Sequence, residues 1–77
     1  MDKETESKLL GLIVDELILI RKEKNILQSQ VLNDTAIHIA RIEMGERNMA
    51  IITFINICDY YGIKPSEVFA RFEKKLK

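Results

Sequence analysis

The first third of the chain has the clearest pattern of hydrophobic and polar positions. Apolar side chains recur there at spacings of three and four residues, at Leu10, Ile13, Val14, Leu17 and Ile20. This spacing places them on one face of an α-helix, and acidic residues fill the first turn, where the helix dipole favours negative charge. The pattern predicts a helix from about residue 5 to Lys24, with Asn25 at its C-terminal end.

Turn and capping residues then separate two short helices. We expect the second helix to begin at Gln28 and the third to end at Gly45. Between them, Asn33, Asp34 and Thr35 have side chains that favour turns and helix N-termini. The middle of the chain is therefore predicted to form a helix, a turn and another helix.

Two more helices are predicted in the C-terminal part. Asn48 can cap a fourth helix that Gly62 ends, and Pro65 can begin a fifth, because its missing N–H is harmless in a first turn. Apolar side chains keep helical spacing in both, at Ile51, Phe54, Ile55, Ile57 and Cys58 and at Val68, Phe69, Phe72 and Leu76. The predicted fold class is all-α, a five-helix bundle with an extended first helix that forms one domain over residues 1–77.

The charge balance gives the chain no overall basic character. Its 77 residues include twelve Lys and Arg against twelve Asp and Glu. Residues 21–30 and residues 51–77 each carry a net charge of +2. A surface that binds nucleic acid must therefore be local.

Several classes of protein are disfavoured by composition. The single Cys58 excludes an internal disulfide, and one histidine adds too few ligands for a metal centre. The longest apolar stretch is interrupted by Gly11, Asp15 and Glu16 and falls short of the roughly 20 residues of a membrane span. The acidic N-terminus does not resemble a secretory signal. We expect a cytoplasmic protein with no cofactor, metal or membrane segment.

Three segments contain short motifs in a fixed order. They are R-x-x-K within residues 20–28, R-I-E-x-G-x-R-N within residues 40–48 and G-I-x-x-S-E-x-F within residues 61–69. Together they resemble the phage-repressor and Cro-like (xenobiotic-response-element type) helix-turn-helix family over about residues 17–69. The resemblance implies a repressor-like bundle that binds double-stranded DNA, with the second helix across the DNA backbone and the third in the major groove.

The resemblance also implies roles for three side chains. The family's glutamine at the start of the second helix, which bonds a phosphate, corresponds to Gln28. Its basic residue and asparagine after the third helix correspond to Arg47 and Asn48. Such contacts position a protein on DNA without reading its sequence.

His38 and Arg41 are the candidates for contact with bases. They are three residues apart and share the outward face of the third helix, whereas Ile39 and Ile42 face the core. His38 can bond a base or a phosphate, or be an ordinary surface residue. Thr35 is foremost a helix cap that can also meet a phosphate.

Arg41 has two alternative roles. Its guanidinium can donate to O6 and N7 of guanine, the commonest specific contact in the major groove. It can instead form a salt bridge with Glu43 or Glu46, which are close in sequence.

The turn departs from the family pattern. Leu27 stands where the family has a capping Ser or Thr, and Ala36 where it has Gly. The separation between Gln28 and Glu43 is shorter than in the family by about one helical turn.

The shortened turn allows two registers. In the first, Ala36 takes the place of the glycine in a left-handed conformation, and the third helix starts near His38. In the second, Asn33 ends the second helix and Thr35 caps a third helix that begins at Ala36. Capping chemistry favours the second register, and the resemblance favours the first.

The first helix has a second apolar face. Leu9, Leu12 and Leu19, with Glu16 among them, lie away from the stripe formed by Leu10, Leu17 and Ile20. Such a face requires a partner. It packs either against Phe72 and Leu76 of the last helix or against a second copy in a homodimer.

These observations favour a sequence-specific, dimeric DNA-binding transcriptional regulator. The alternative is a protein-interaction module on a degenerate helix-turn-helix scaffold, acting as an anti-repressor or dimerisation partner. An enzyme is disfavoured, because the sequence has no glycine-rich phosphate loop and no nucleophile that its pattern places beside His38.

Overall fold

The computed structural model describes residues 1–45 and 49–76, and these residues form five α-helices. In chain order they are α1 (Lys3–Glu23), α2 (Gln28–Thr35), α3 (Ile39–Glu43), α4 (Ile51–Tyr61) and α5 (Pro65–Leu76). The predicted all-α, five-helix fold with a long first helix is confirmed. None of the helices in the described ranges has the length and apolarity needed to cross a membrane.

The ends of α1 follow local chemistry. The carboxylate of Asp2 accepts a hydrogen bond from the backbone N–H of Thr5 at 2.8 Å, which caps the first turn. At the other end, Asn25 adopts a left-handed conformation with φ 56°. The predicted end of this helix near Lys24 and Asn25 is therefore confirmed.

A core of apolar side chains joins all five helices. It consists of Leu17, Ile20, Val31, Ile39, Phe54, Ile57, Cys58, Tyr61 and Val68. Burial raises the pKa of the Cys58 thiol, so this cysteine is a packing residue as predicted. Tyr61 is also buried, whereas the hydroxyl of Tyr60 donates a hydrogen bond to Asp34 at 2.6 Å and ties α4 to α2.

The predicted ends of α4 and α5 are confirmed at two of three positions. Gly62 ends α4 in a left-handed conformation with φ 70°, and Pro65 begins α5. The prediction that Asn48 caps α4 is wrong, because Ala50 occupies the extended residue directly before the first turn and accepts from the N–H of Phe54. Asn48 itself lies outside the described residues.

The apolar stripes of α4 and α5 are only partly covered. Phe54 and Val68 are buried, and the rings of Phe54 and Phe69 are 5.3 Å apart. Ile51 and Ile55, on the other side of the same stripe, remain exposed. The helical spacing therefore predicted correctly that α4 is a helix. It did not predict how many of the apolar residues of α4 are buried.

Candidate nucleic-acid interface

The turn between α2 and α3 adopts the first of the two predicted registers. Ala36 has φ 63° and ψ 11°, the left-handed conformation that glycine adopts most readily, and α3 begins at Ile39. For an alanine this conformation costs about 1 kcal/mol. Ile39, the first residue of α3, is buried in the core, and its burial offsets that cost.

Thr35 has a different role from the one predicted in the second register. Its hydroxyl donates to the carbonyl of Val31 at 2.7 Å and accepts from the backbone N–H of Ile37 at 3.1 Å. It is the last residue of α2, so the prediction that it caps α3 is wrong. The side chain bridges α2 to the turn, and its oxygen is already engaged there.

The two candidate base readers share one exposed surface. His38 directly precedes α3, Arg41 lies one turn later, and both side chains are exposed. On the opposite side Ile39 is buried, and Ile42 packs half-buried against the core. The predicted division of α3 into an outward and an inward face is confirmed.

A buried ion pair fixes α3 to α1. The guanidinium of Arg21 donates to both carboxylate oxygens of Glu43, at 2.7 and 3.0 Å, and to the carbonyl of Ile26 at 2.8 Å. The two side chains are only 10% and 7% exposed. Hydrogen bonding to Glu43 raises the pKa of Arg21, so the guanidinium stays charged. We call this pair the Arg21–Glu43 clamp.

The clamp also reaches the start of α2. The side-chain amide of Gln28 donates to Glu43 at 2.9 Å, so one carboxylate joins residues of three helices. The backbone N–H of Leu27, which has no capping side chain, donates to the side chain of Gln30 at 2.7 Å. The first turn of α2 is thereby held although its usual cap is absent.

The alternative pairing of Arg41 with Glu43 is wrong, and Glu46, the other candidate partner, lies outside the described residues. The carboxylate of Glu43 forms its ion pair with Arg21 of α1, whereas the side chain of Arg41 is exposed to solvent. Within residues 1–45 and 49–76, Arg41 belongs to no ion pair. The clamp leaves no local signal in the sequence because its partners are 22 residues apart, although both belong to the motifs that carry the resemblance.

Three of the predicted contact residues come together at one cleft. A cleft of about 290 Å³ between α2 and α3 is lined by Gln28, His38 and Arg41, together with Ser29, Leu32, Ile39 and Ala40. Thr35 is not among its lining residues. Arg47 and Asn48 lie outside the described residues. The described part of the predicted site is therefore a single surface formed by the start of α2 and the outward face of α3.

The second apolar face of α1 is partly covered by α5. Glu16 is 2% exposed, and its carboxylate pairs with Arg71 at 3.0 Å and with Lys75. The burial of Glu16 agrees with the alternative in which this face packs against the last helix, and two cations of α5 draw its carboxylate inward. Of the apolar members, Leu9 and Leu12 are half-buried and Leu19 is 43% exposed.

Comparison with protein-family models, with curated proteins and with solved structures finds no match to this chain. Among the residues that the structure describes, no group of three or more His, Cys, Asp or Glu side chains is arranged to hold a metal ion.

Proposed function

We propose that this protein is a sequence-specific DNA-binding transcriptional regulator that reads the major groove with α3. The observation that carries the proposal is the cleft between α2 and α3, where Gln28, His38 and Arg41 share one exposed surface. The sequence predicts the same three residues as phosphate and base contacts.

The side chains at this surface suit different parts of DNA. Arg41 is exposed and bears a planar fork of donors that matches O6 and N7 of guanine. Gln28 is the first residue of α2, so its side chain and the free backbone N–H groups of that helix end suit a phosphate. His38 lines the same cleft and suits either a base or a phosphate.

The Arg21–Glu43 clamp supports this role by fixing geometry. α3 has only five residues, so it depends on neighbours for its orientation. Glu43 is bound by Arg21 at the end of α1 and by Gln28 at the start of α2. A base contact by Arg41 and a phosphate contact by Gln28 would therefore keep a constant separation.

We further propose that two copies bind DNA together as a homodimer. The candidate contact is the incompletely covered part of α1, where Leu12 is half-buried and Leu19 is exposed because α5 does not cover it. A two-fold dimer would present two α3 helices to half-sites about 34 Å apart, so the preferred DNA would be nearly palindromic.

Selection from a random DNA pool, followed by titration of the selected duplex at several salt concentrations, tests the proposal. Binding should weaken steeply with salt, by about 0.9 in the log–log slope for each phosphate neutralised. Arg41→Ala should relax the preference at one base pair, whereas Arg47→Ala should weaken selected and scrambled duplexes alike. Lys74→Ala, which removes an exposed charge from α5, is the matched control and should change neither property. Affinity that does not vary with salt contradicts the proposal.

A protein-interaction module is the second candidate function. Ile51, Ile52 and Ile55 on α4 are 62%, 64% and 44% exposed, and the whole chain has no net charge. An exposed apolar patch of this kind is typical of surfaces that bind other proteins. Under this function the selection would recover no preferred DNA sequence, and Ile52→Lys would abolish partner binding while Arg41→Ala would not.

A further inference from the structure

The cleft between α2 and α3 has an apolar wall as well as polar contacts. Leu32 of α2 is 40% exposed and faces the cleft together with Ala40 of α3, and the buried Ile39 lies beneath them. Gln28 and Arg41 supply donors at the same cleft. The aliphatic side chain of Leu32 is therefore close to any base edge that Arg41 contacts at this cleft.

We propose that this cleft recognises the 5-methyl group of thymine, with Leu32 as the residue that contacts it. The inference rests on the proposed DNA binding. It adds thymine to the guanine that Arg41 is proposed to contact. The C5-methyl is the apolar group that thymine presents in the major groove, and contact with aliphatic side chains is the way proteins detect it. Cytosine would be disfavoured, because its amino group would lose water without gaining an acceptor from Leu32 or Ala40.

The helical register of α2 places Leu32 on the correct side. Gln28 and Leu32 are four residues apart, so their side chains lie on the same face of α2, one turn from each other. A phosphate held by Gln28 would therefore bring the neighbouring groove edge over Leu32. Opposite Leu32, Ala40 has a side chain small enough to leave room for a methyl group between the helices.

The shortness of α3 explains why a residue of α2 takes this role. Five helical residues rise by about 7.5 Å, whereas the major groove is about 12 Å wide. Around the cleft, α3 presents only Ala40 and Arg41 to solvent, with His38 directly before it. Leu32 extends the apolar part of that surface beyond the reach of α3.

The test uses the duplexes that the protein selects from a random pool and the same duplexes with deoxyuridine in place of thymine, one position at a time. Deoxyuridine lacks only the methyl group. For the parent protein we expect one thymine whose replacement weakens binding about fourfold, the worth of one buried methyl group. Leu32→Ala should bind the thymine duplex about as weakly as the parent binds the deoxyuridine duplex, and should no longer distinguish the two.

Ile55→Ala is the matched control, because Ile55 is 44% exposed on α4 and does not line the cleft. This variant should discriminate thymine from deoxyuridine as the parent does. Equal binding of thymine and deoxyuridine duplexes by the parent, or discrimination that survives Leu32→Ala, overturns the inference while leaving salt-dependent DNA binding intact. Failure of the parent to bind any duplex with salt-dependent affinity overturns the inference and the proposed function together. The comparison on the parent needs no variant, so it decides even if Leu32→Ala does not fold.

Discussion

The protein contains two clusters of charged side chains that use the same chemistry in different surroundings. The Arg21–Glu43 clamp joins α1 to α3, and both side chains are at most 10% exposed. The second cluster joins α1 to α5, where Glu16 is buried but Arg71 and Lys75 are 33% and 43% exposed. If Glu16 is removed, water can solvate the Arg71 and Lys75 charges of the second cluster, whereas water cannot reach Arg21 when Glu43 is removed.

This difference indicates separate roles for the two clusters. The clamp is placed beneath the candidate DNA surface, where it sets the position of α3 and of Gln28. The α1–α5 cluster lies on α1 away from that surface and holds the last helix against the first. Variants in the two clusters should therefore differ in their effects on stability and on DNA binding.

Removing one partner of the clamp should have the largest effect. Glu43→Gln leaves the Arg21 guanidinium buried and unpaired, so we expect the free energy of unfolding to fall by about 3–5 kcal/mol. Denaturant unfolding of the parent and the variant measures this loss. The double variant Arg21→Met with Glu43→Leu is the control, because it removes both charges and should recover much of the loss. A single variant as stable as the parent would show that the clamp is not buried.

Breaking the α1–α5 cluster should cost less. Glu16→Gln removes the negative partner of Arg71 and Lys75, whose charges remain partly hydrated, so we expect a loss of about 1–3 kcal/mol. Glu23→Gln is the matched control, since Glu23 pairs with Arg71 at 2.8 Å but is 56% exposed, and its loss should be at most about 1 kcal/mol. Equal losses for the two variants would contradict the difference in burial between Glu16 and Glu23.

The α1–α5 cluster should also make stability depend on pH. Burial alone would raise the pKa of Glu16, but hydrogen bonds from Lys75 and Arg71 outweigh it and hold the pKa below its ordinary value of 4.5. A hydrogen bond from Arg71 lowers the pKa of Glu23 in the same direction. A lowered carboxyl pKa contributes stability that is complete above the unfolded value and is lost as pH falls through the folded value.

Melting curves recorded from neutral pH to below pH 4.5 measure this dependence. The parent should lose stability as the pH falls, and Glu16→Gln should lose less over the same interval because its amide does not titrate. If the parent and this variant lose the same stability over this pH interval, Glu16 does not contribute to the pH dependence.

The smallest effect on stability is expected at the edge of the α1–α5 contact. Leu12→Lys with Leu19→Lys changes a half-buried and an exposed side chain, so the bundle should melt cooperatively and within about 1 kcal/mol of the parent. If α1 forms the dimer contact, sedimentation should show a monomer with reduced affinity for two-half-site DNA. A double variant that stays dimeric, or a parent that is already monomeric at micromolar concentration, would remove this face from the dimer.

The helices were predictable because their signals are local. The spacing of Leu10 and Leu17, the left-handed Gly62 and the first-turn Pro65 act within a few residues, and the structure has α1, α4 and α5 accordingly. The register of the turn was not decided locally. Thr35 favoured one register as a cap, but the structure has the other, with Ala36 in the left-handed conformation.

The candidate site was predictable where a side chain faces solvent and not where it meets a distant helix. The outward positions of His38 and Arg41 follow from helical spacing alone. The partner of Glu43 lies 22 residues away and that of Glu16 lies 55 residues away, so neither pair leaves a periodic signal in the chain. The sequence pattern therefore does not reveal the partners of charged residues that become buried through tertiary pairing.

The brevity of α3 has a consequence for the order in which parts of the molecule open. A helix of five residues does not persist alone in water, so its backbone hydrogen bonds, such as that from Met44 to Ala40 at 3.0 Å, exist only while α1 and α2 hold it. Amide hydrogens of α3 should therefore exchange with solvent deuterium in the same event as those around Arg21, rather than by separate fraying. The surface proposed to bind DNA would then resist local opening as strongly as the core beneath it. The two would unfold in a single step.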